Sequence, residues 1–380
     1  MATASPSKPA ADFSKGLEGV IAGDTAICCI EQDQLIYRGY DIHDLSEHAT
    51  FEDVSFLLLV GHKPSAAELA AFKRDIVAER GLPALVVDLI KNTAKLPNTV
   101  PMDTLRSAVS VLAHLDPDCQ DNSAEANLRK SKRLLAKIPT IIGHMQNVID
   151  GKALVAPDAT LDHAANLLWM MTGKKPSAEE ARIIDVSLIL YAEHDYNAST
   201  FTSRIIAGTL SDLHGAVTGG IAALKGPLHG GANEAAMDML KEVGSLDNVE
   251  KFMKNAFETK RKIMGFGHRV YKNGDHRAPI LHALGKAYAQ KKGGEATKWF
   301  DIGEKVQKIM LEQKNIHPNV DFPCGMTYFV MGIPVPQYTP IFVASRITGW
   351  AAHVMEQHAN NRLIRPLSLY TGPAIRKWNG

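Results

Sequence analysis

The sequence predicts a nearly all-α protein with one small β-hairpin near its N-terminus, divided into two domains. Three observations predict this class. Helix-capping patterns open segments whose apolar residues recur every three or four positions. One short region is rich in β-branched and aromatic residues, and no second one follows it. The chain has 380 residues, which is more than one hydrophobic core usually supports.

The first predicted elements are a lead and the hairpin. Residues 1–15 have no apolar core for secretion and no arginine for a transit helix, so they predict a short disordered lead. The segment after it, AICCIEQDQLIYRGYDI, places β-branched and aromatic residues on both sides of a polar EQDQ turn. This alternation predicts a single hairpin.

Helices are predicted over most of the remaining chain. Ser65 precedes Glu68 by three residues, the spacing of a capping box, and Gly81 is the expected end of that helix. Ser177 and Glu180 repeat the spacing. The helix that they open becomes almost entirely apolar in its second half, which predicts that it is buried on all sides.

The expected hinges are stretches rich in glycine, at 219–231, at 263–274 and around Gly325 and Gly332. They predict a smaller domain inserted into a larger one. We place the large domain at 16–228 and 333–380 and the small domain at 229–332, which is an ordinary domain size.

Charge and composition exclude several classes of function. The formal net charge is +1, so no overall field attracts the chain to nucleic acid or to an anionic membrane. The longest apolar runs are far shorter than the roughly 18 residues of a membrane span. Four cysteines without a disulfide or zinc spacing, together with the lead, predict a cytoplasmic protein.

Two histidines stand where helix packing alone does not require one. His194 ends the buried helix in YAEHDYNAST, and a core histidine bonded to a backbone carbonyl is the alternative. His229 lies among glycines in KGPLHGGANEAAM, just before a helix. Since a helix N-terminus disfavours the imidazolium, we expect a neutral ring that donates a hydrogen bond. A structural turn histidine is the alternative for that position.

A glycine-rich loop concentrates basic groups in GFGHRVYKNGDHR, from Gly265 to Arg277. It is neither a Walker loop nor a dinucleotide fingerprint. Two arginines, one lysine and two histidines suit carboxylates and phosphates, because guanidinium binds such anions bidentately and ammonium binds them as a point charge. A solvated basic loop is the alternative, but it does not explain the glycines that flank Phe266.

An acid and two arginines complete the candidate residues. Asp321 is a lone acid among apolar neighbours. Such surroundings disfavour its charged form and make the carboxylate a usable base. A role in helix capping or in a turn is the alternative. Arg346 follows Phe342 by one turn on the apolar face of a predicted helix, so it needs an anion from the protein or from a ligand. Arg365 lies near the C-terminus, where a surface role is the alternative.

Metal and thiol chemistry fit the sequence poorly. No HExxH occurs, and His43 with His48 and His353 with His358 are five residues apart, off a common helix face. Cys324 has no histidine near it in sequence that could activate it as a nucleophile. No metal site is expected.

Seven segments, taken in chain order, resemble the citrate synthase family, which includes the 2-methylcitrate synthases. They are LIYRGYDI, AEHDYNASTF, KGPLHGGANE, GFGHRVYKNGDHRA, NVDF, SRITGWAAH and RPLSLYTGP. The similarity extends from about Gly16 to Arg376. It implies the family's two-domain, nearly all-α homodimer with an active site in the cleft between domains, no metal or other cofactor, and a place in the tricarboxylic acid cycle.

The resemblance also implies roles on the side of the thioester substrate. His229 would hydrogen-bond the thioester carbonyl of acetyl-CoA while Asp321 removes a methyl proton to give an enol. Lys272 matches a basic position that contacts the CoA phosphates. Citryl-CoA would then be hydrolysed.

The same resemblance implies a set of residues for oxaloacetate. His268 and Arg277 would polarise and hold the keto acid that the enol carbon attacks. Its carboxylates would be bound by His194, Arg346 and Arg365, the last supplied by the partner subunit. The loop would therefore serve two anionic substrates.

Two departures from the family pattern concern loop shape and substrate preference. The family usually has proline where His276 stands, and commonly Ser-Gly where Cys324 and Gly325 stand. Some segments resemble the methylcitrate branch and others the short bacterial citrate synthases. Citrate synthase is the first expectation, 2-methylcitrate synthase using propionyl-CoA is the alternative, and a non-catalytic acyl-CoA sensor is the rival from another class.

Overall fold

The computed structural model describes residues 14–31, 34–268, 270–271 and 273–378. Within these ranges sixteen α-helices follow one small antiparallel sheet, which confirms the predicted fold class. No helix in the described ranges has the length and apolarity to span a membrane. All but the last two residues of the predicted lead 1–15 lie outside the described residues.

The small sheet has three strands, β1 (Cys28–Glu31), β2 (Gln34–Tyr37) and β3 (Tyr40–Asp41). β1 pairs antiparallel with β2, with Cys28 opposite Tyr37, as the predicted hairpin requires, although the tip of its turn lies outside the described residues. The short β3 was not predicted. Arg38 and Gly39 connect it to β2 with φ angles of 48° and 89°, the positive values of a tight two-residue hairpin turn.

Ten of the α-helices in the described ranges lie in the earlier part of the chain. They are α1 (Ile42–His48), α2 (Phe51–Val60), α3 (Ala66–Ala78), α4 (Ala84–Thr93), α5 (Pro101–Leu112), α6 (Ala124–Asp150), α7 (His163–Thr172), α8 (Ala178–Tyr191), α9 (Ala198–Ala207) and α10 (Leu213–Leu224). The helices of the second half are α11 (Ala232–Val243), α12 (Val249–Glu258), α13 (Arg277–Lys292), α14 (Glu295–Lys314), α15 (Asp321–Val330) and α16 (Tyr338–Ala359).

Both predicted capping boxes are present. In α3 the Ser65 hydroxyl accepts from the Glu68 N–H at 3.3 Å, and the Glu68 carboxylate accepts from the Ser65 N–H at 2.8 Å. The helix ends at Ala78 and not at Gly81. Just after this end, the Arg80 guanidinium donates to the backbone carbonyls that precede α7, at 2.7 and 2.9 Å.

The helix α8 is buried as predicted. Every residue from Ile183 to Tyr191 is buried, including the acid Asp185, whose carboxylate accepts from the Phe51 N–H at 2.9 Å. The equally buried α16 packs against α6, α8, α9 and α10. Of the candidate residues, His194 lies just after the end of α8, and Arg346 lies in the middle of α16.

A second group of helices lies later in the chain. α11, α13 and α14 each pack against α15, and α13 also packs against α8. α15 begins at Asp321, so this packing fixes the position of that acid. The division into domains at 16–228, 229–332 and 333–380 stays a prediction.

Candidate active site

One cavity of about 960 Å³ brings most of the candidate residues together. Six of the eight line it: His194, His229, His268, Arg277, Asp321 and Arg346. Arg365 is exposed and does not line it. Lys272 lies outside the described residues. The cavity wall also includes the N-terminal segment 16–23, which the sequence did not indicate as part of a site.

The glycines of the basic loop let it join the segment that leads to Asp321. Gly265 has φ +80°, and a Cβ there would lie 2.8 Å from the Cβ of Phe322, so only glycine fits without a shift. Asn319 donates its N–H to the Gly265 carbonyl at 2.9 Å and its side-chain amide to the Gly267 carbonyl at 3.0 Å. The loop and the start of α15 therefore form one unit.

A buried carboxylate strengthens this unit. Asp275 accepts hydrogen bonds from Nε and Nη2 of Arg277 at 2.9 and 2.8 Å. The same Asp275 accepts from the N–H of Val320 at 2.9 Å, one residue before Asp321. A single carboxylate thus holds the Arg277 guanidinium and the first turn of α15 in fixed positions.

Asp321 has the properties of a base. Burial raises the pKa of its carboxyl to about 6, and the hydroxyl of Tyr191, which donates to Oδ1 at 2.7 Å, acts in the opposite direction. The rise agrees with the expectation from its apolar neighbours. At neutral pH the group is mostly ionised, yet its pKa is close enough to 7 for proton transfer in both directions.

His229 is neutral, with its proton placed by its neighbours. Burial, and then the positive charge of Arg346, lower the pKa of the ring to about 4. The lowered pKa agrees with the expected neutral ring. Nε2 accepts from the Ser199 N–H at 3.4 Å and lies 2.8 Å from the Ser199 hydroxyl. Since a backbone N–H only donates, Nε2 carries the lone pair and Nδ1 carries the proton.

His268 has the opposite tautomer. Its Nδ1 accepts from the N–H groups of Val270 and Tyr271 at 3.1 and 3.3 Å, so the proton is on Nε2. Burial and the charge of Arg277 lower the pKa of this ring to about 4. His194 lies beside it, with ring centroids 4.9 Å apart, and burial lowers its pKa well below the ordinary value.

Arg346 is buried, and no carboxylate of the described residues lies within ion-pair distance of its guanidinium. Its Nε donates to the Tyr191 carbonyl at 2.8 Å, and its guanidinium lies 4.8 Å from the centre of the Phe342 ring. Nη1 is buried and has no hydrogen-bond partner among the described residues. A buried guanidinium that lines a cavity, has an unsatisfied N–H and forms no ion pair with a described residue is a place for an anionic ligand.

The two departures from the family pattern have clear positions. Cys324 is fully buried on α15, and burial raises the pKa of its thiol, which therefore stays protonated and is a poor nucleophile. His276 is the residue just before α13, next to Arg277.

The arrangement agrees with comparisons with known proteins. A family model described as citrate synthase, C-terminal domain, matches residues 16–367. The chain belongs to the citrate synthase family. It is an enzyme of the citrate synthase type, and the match covers every candidate residue.

Relatives within the family have both of the expected names. Citrate synthase 2 of Bacillus subtilis is 42% identical over 365 residues, covering 96% of this chain and 97% of that protein. 2-Methylcitrate synthase 1 of Corynebacterium glutamicum is 43% identical over 371 residues, covering 96% of each. A solved ternary complex of carboxymethyl coenzyme A and oxaloacetate with citrate synthase from Thermoplasma acidophilum has a TM-score of 0.91 at 32% identity, covering 97% of this chain and 98% of that chain.

Sequence reasoning missed the neighbours that set the chemistry of this citrate synthase site. Asp275 could have been found, because an acid two residues before a basic candidate in one loop is a natural partner. Ser199 follows Asn197, the N-cap of α9, but nothing in that capping pattern indicates a contact with His229. Nothing in the sequence indicated a role for Tyr191, because its contact with Asp321 depends on how the end of α8 lies against the start of α15.

Proposed function

We propose that the chain condenses acetyl-CoA with oxaloacetate and water to give citrate and CoA. One observation carries the proposal. A cavity holds a carboxylate of raised pKa, two neutral imidazoles with defined proton positions, and a buried guanidinium whose Nη1 has no hydrogen-bond partner among the described residues. A Claisen condensation of a thioester with a keto diacid requires these groups: a base, two carbonyl-polarising donors and carboxylate ligands.

The first step forms the nucleophile. The Asp321 carboxylate removes a proton from the methyl group of acetyl-CoA, and Nδ1–H of His229 donates to the thioester oxygen as negative charge develops there. The lowered pKa of His229 supports this role, because a neutral ring can share its Nδ1 proton with the thioester oxygen, which gives the enol, and recovers that proton when the enol carbon attacks. Ser199 fixes the ring in this tautomer.

The second step forms the carbon–carbon bond. The enol carbon attacks the keto carbon of oxaloacetate, and the keto oxygen becomes a hydroxyl as it takes a proton. His268 presents Nε2–H to that oxygen, and Arg277, held by Asp275, lies on the same loop. Water then hydrolyses the citryl thioester, which releases citrate and the CoA thiol.

We assign the carboxylates of oxaloacetate to His194 and Arg346. The unsatisfied Nη1 of Arg346 supports this assignment, since its burial is offset only when an anion arrives. The Thermoplasma citrate synthase binds oxaloacetate together with carboxymethyl coenzyme A. Lys272 and the CoA phosphates remain a proposal from the family resemblance alone.

The acyl group is a separate part of the proposal. Acetyl-CoA is our first choice and propionyl-CoA the alternative, because relatives of both kinds match this chain at nearly equal identity. One methylene in a pocket is worth only about 1–3 kcal/mol, so a few wall residues decide the preference.

We propose a homodimer in which Arg365 completes the neighbouring site. Arg365 lies outside its own cavity, in an extended C-terminal segment whose apolar side chains are exposed in the single chain. Leu367 is 87% and Trp378 is 100% exposed. Exposed apolar side chains of this size are typical of a surface that another chain covers.

Co-expression of two inactive variants tests the dimer. In a mixed dimer of Asp321→Ala and Arg365→Ala chains, one site keeps Asp321 and receives an intact Arg365 from its partner. Purified, tag-verified mixed dimers should therefore recover substantial activity. If Arg365 serves its own chain, every site has one defect and mixing restores nothing.

A cytoplasmic location is a further proposal. None of the four cysteines, all of which are described, forms a disulfide, which suits the reducing cytoplasm.

Domain movement is also proposed. The proposed small domain at 229–332 includes α11 to α15, and its closure on the large domain would exclude water from the enol.

Thiol release tests the proposed function. The purified protein is given oxaloacetate with acetyl-CoA or with propionyl-CoA, and the free thiol is followed with a thiol reagent. We expect oxaloacetate-dependent release that is faster with acetyl-CoA and absent in Asp321→Ala. Faster release with propionyl-CoA would establish the alternative, and no release with either would favour the acyl-CoA sensor.

A further inference from the structure

A thiol, an imidazole and a carboxylate converge at a place outside the catalytic cavity. The sulfur of Cys119, a carboxylate oxygen of Asp212 and a ring nitrogen of His214 lie within 4.8 Å of one another. Cys119 precedes α6, whereas Asp212 caps α10 and His214 is the second residue of that helix. The cluster therefore joins two segments that are far apart in sequence, which explains why ligand spacing did not predict it.

The imidazole of this cluster has an unused ring nitrogen. His214 is 1% exposed, and its Nδ1 is buried with no hydrogen-bond partner among the described residues. Its Nε2 lies 3.5 Å from Oδ2 of Asp116. Arg133 holds Asp116 with two hydrogen bonds, at 2.8 and 2.7 Å. A proton on Nε2, directed to Asp116, leaves the lone pair on Nδ1, and a carboxylate behind the ring is the usual support of a metal-bound histidine.

We propose that Cys119, Asp212 and His214 bind one divalent transition-metal ion of the zinc type. Ligand atoms at 2.0–2.3 Å from a tetrahedral ion lie about 3.3–3.8 Å from one another, so side-chain shifts of about 1 Å complete the site. Thiolate and imidazole select zinc or cobalt over magnesium and calcium, which prefer oxygen. The thiol proton leaves to solvent on binding, and water takes the fourth position.

The surrounding charges permit a cation. Lys130 and Arg133 bring two positive charges, Asp116 and Asp212 bring two negative ones, and the Cys119 thiolate adds a third. Gln120 also directs its amide to the sulfur at 3.8 Å, and a thiolate can accept this hydrogen bond. Without a metal, the Cys119 thiol instead interacts with the Asp212 carboxylate. The ion would tie the start of α6 to α10, so its effect is on stability rather than on the reaction.

Metal titration of chelator-stripped protein tests the site directly. With cobalt(II), the wild type should bind one ion per chain and show an ultraviolet thiolate-to-cobalt charge-transfer band. Cys119→Ser should lose this band, and Cys29→Ser, a cysteine variant outside the cluster, should keep it. In a zinc competition titration against a fluorescent chelator, Asp116→Asn should bind about 10–100-fold more weakly than the wild type.

Melting temperature and turnover separate this site from the catalytic cavity. Zinc should raise the melting temperature of the stripped wild type and of Cys29→Ser, but not that of Cys119→Ser, while thiol release by the wild type stays the same with or without zinc. The wild-type cobalt spectrum needs no variant to fold. Absence of its charge-transfer band, or equal zinc affinity in wild type and Cys119→Ser, would overturn the site and leave the thiol–carboxylate contact as the full account of the cluster.

Discussion

Two buried arginines, Arg204 on α9 and Arg346 on α16, differ in how their charge is offset. Arg204 donates to the Glu356 carboxylate at 2.6 Å and lies 3.0 Å from Nδ1 of His353. On its other side His353 is 3.0 Å from the buried carboxylate of Glu193. Arg346 is as deeply buried, but its contacts are one backbone carbonyl and one aromatic ring, and it forms no ion pair with a described residue.

This difference separates a structural charge from a functional one. The network around Arg204 offsets the cost of desolvating its guanidinium, so this arginine stabilises the fold without a ligand. Arg346 has no carboxylate within ion-pair distance among the described residues, and burial lowers the pKa of its guanidinium although the charge of Glu193 acts in the opposite direction. Arg277 lies between the two cases, because Asp275 neutralises it while it still lines the cavity. A buried charge without an internal partner thus marks the substrate position.

The largest expected effect is the loss of the base. Asp321→Asn should lower kcat by about 10²–10⁴-fold, because a positioned base supplies that much in rate, while oxaloacetate affinity stays close to that of the wild type. Asp301→Asn, an exposed acid on α14, is the control. Steady-state thiol release and oxaloacetate titration measure the two quantities, and retention of more than a tenth of wild-type kcat would refute the assignment.

A smaller expected effect is on the free energy of unfolding, and it differs between variants of Arg204 and Arg346. Arg204→Gln should lower the free energy of unfolding by about 1.5–3 kcal/mol, since hydrogen bonds to charged groups are lost. Arg346→Gln should lower it less than Arg204→Gln does, because no carboxylate of the described residues forms an ion pair with Arg346. Chemical denaturation without substrate measures both variants. Equal destabilisation would mean that Arg346 is also a structural charge.

The smallest effect concerns the pH profile. The base acts in its ionised form, so kcat/KM should fall as the pH drops through about 6. Tyr191→Phe removes a hydrogen bond that favours the carboxylate, so the fall should move to higher pH by up to about one unit. Tyr288→Phe, which loses a similar bond to Glu180 at 2.8 Å away from the cavity, is the control. A shift to lower pH, or the same shift in the control, would contradict the role of Tyr191.

Local rules and residue types predicted much of the fold and most of the site. The capping boxes at Ser65 and Ser177 depend on residues three positions apart, so the sequence contains the whole interaction. The burial of α8 follows from its missing polar face. His194, Asp321 and the other cavity residues were found because reactive side chains stood in apolar or glycine-rich settings where packing did not require them.

Long-range packing determined what the sequence could not. The tautomer of His229 depends on Ser199, which belongs to another helix. The pKa of Asp321 depends on its burial and on Tyr191, distant in sequence. The cluster at Cys119 forms only when α10 packs beside the start of α6. In each case the partner is chosen by the fold, and no spacing rule contains it.

Calorimetric titration with oxaloacetate tests most directly the claim that an unpaired buried charge marks the substrate position. Wild type, Arg346→Gln and Arg204→Gln are compared at neutral pH without thioester. Arg346→Gln should bind oxaloacetate about 10–150-fold more weakly, the equivalent of 1.5–3 kcal/mol for a lost charged hydrogen bond, and Arg204→Gln should bind like the wild type. Unchanged affinity in Arg346→Gln, or an equal loss in both variants, would contradict the claim.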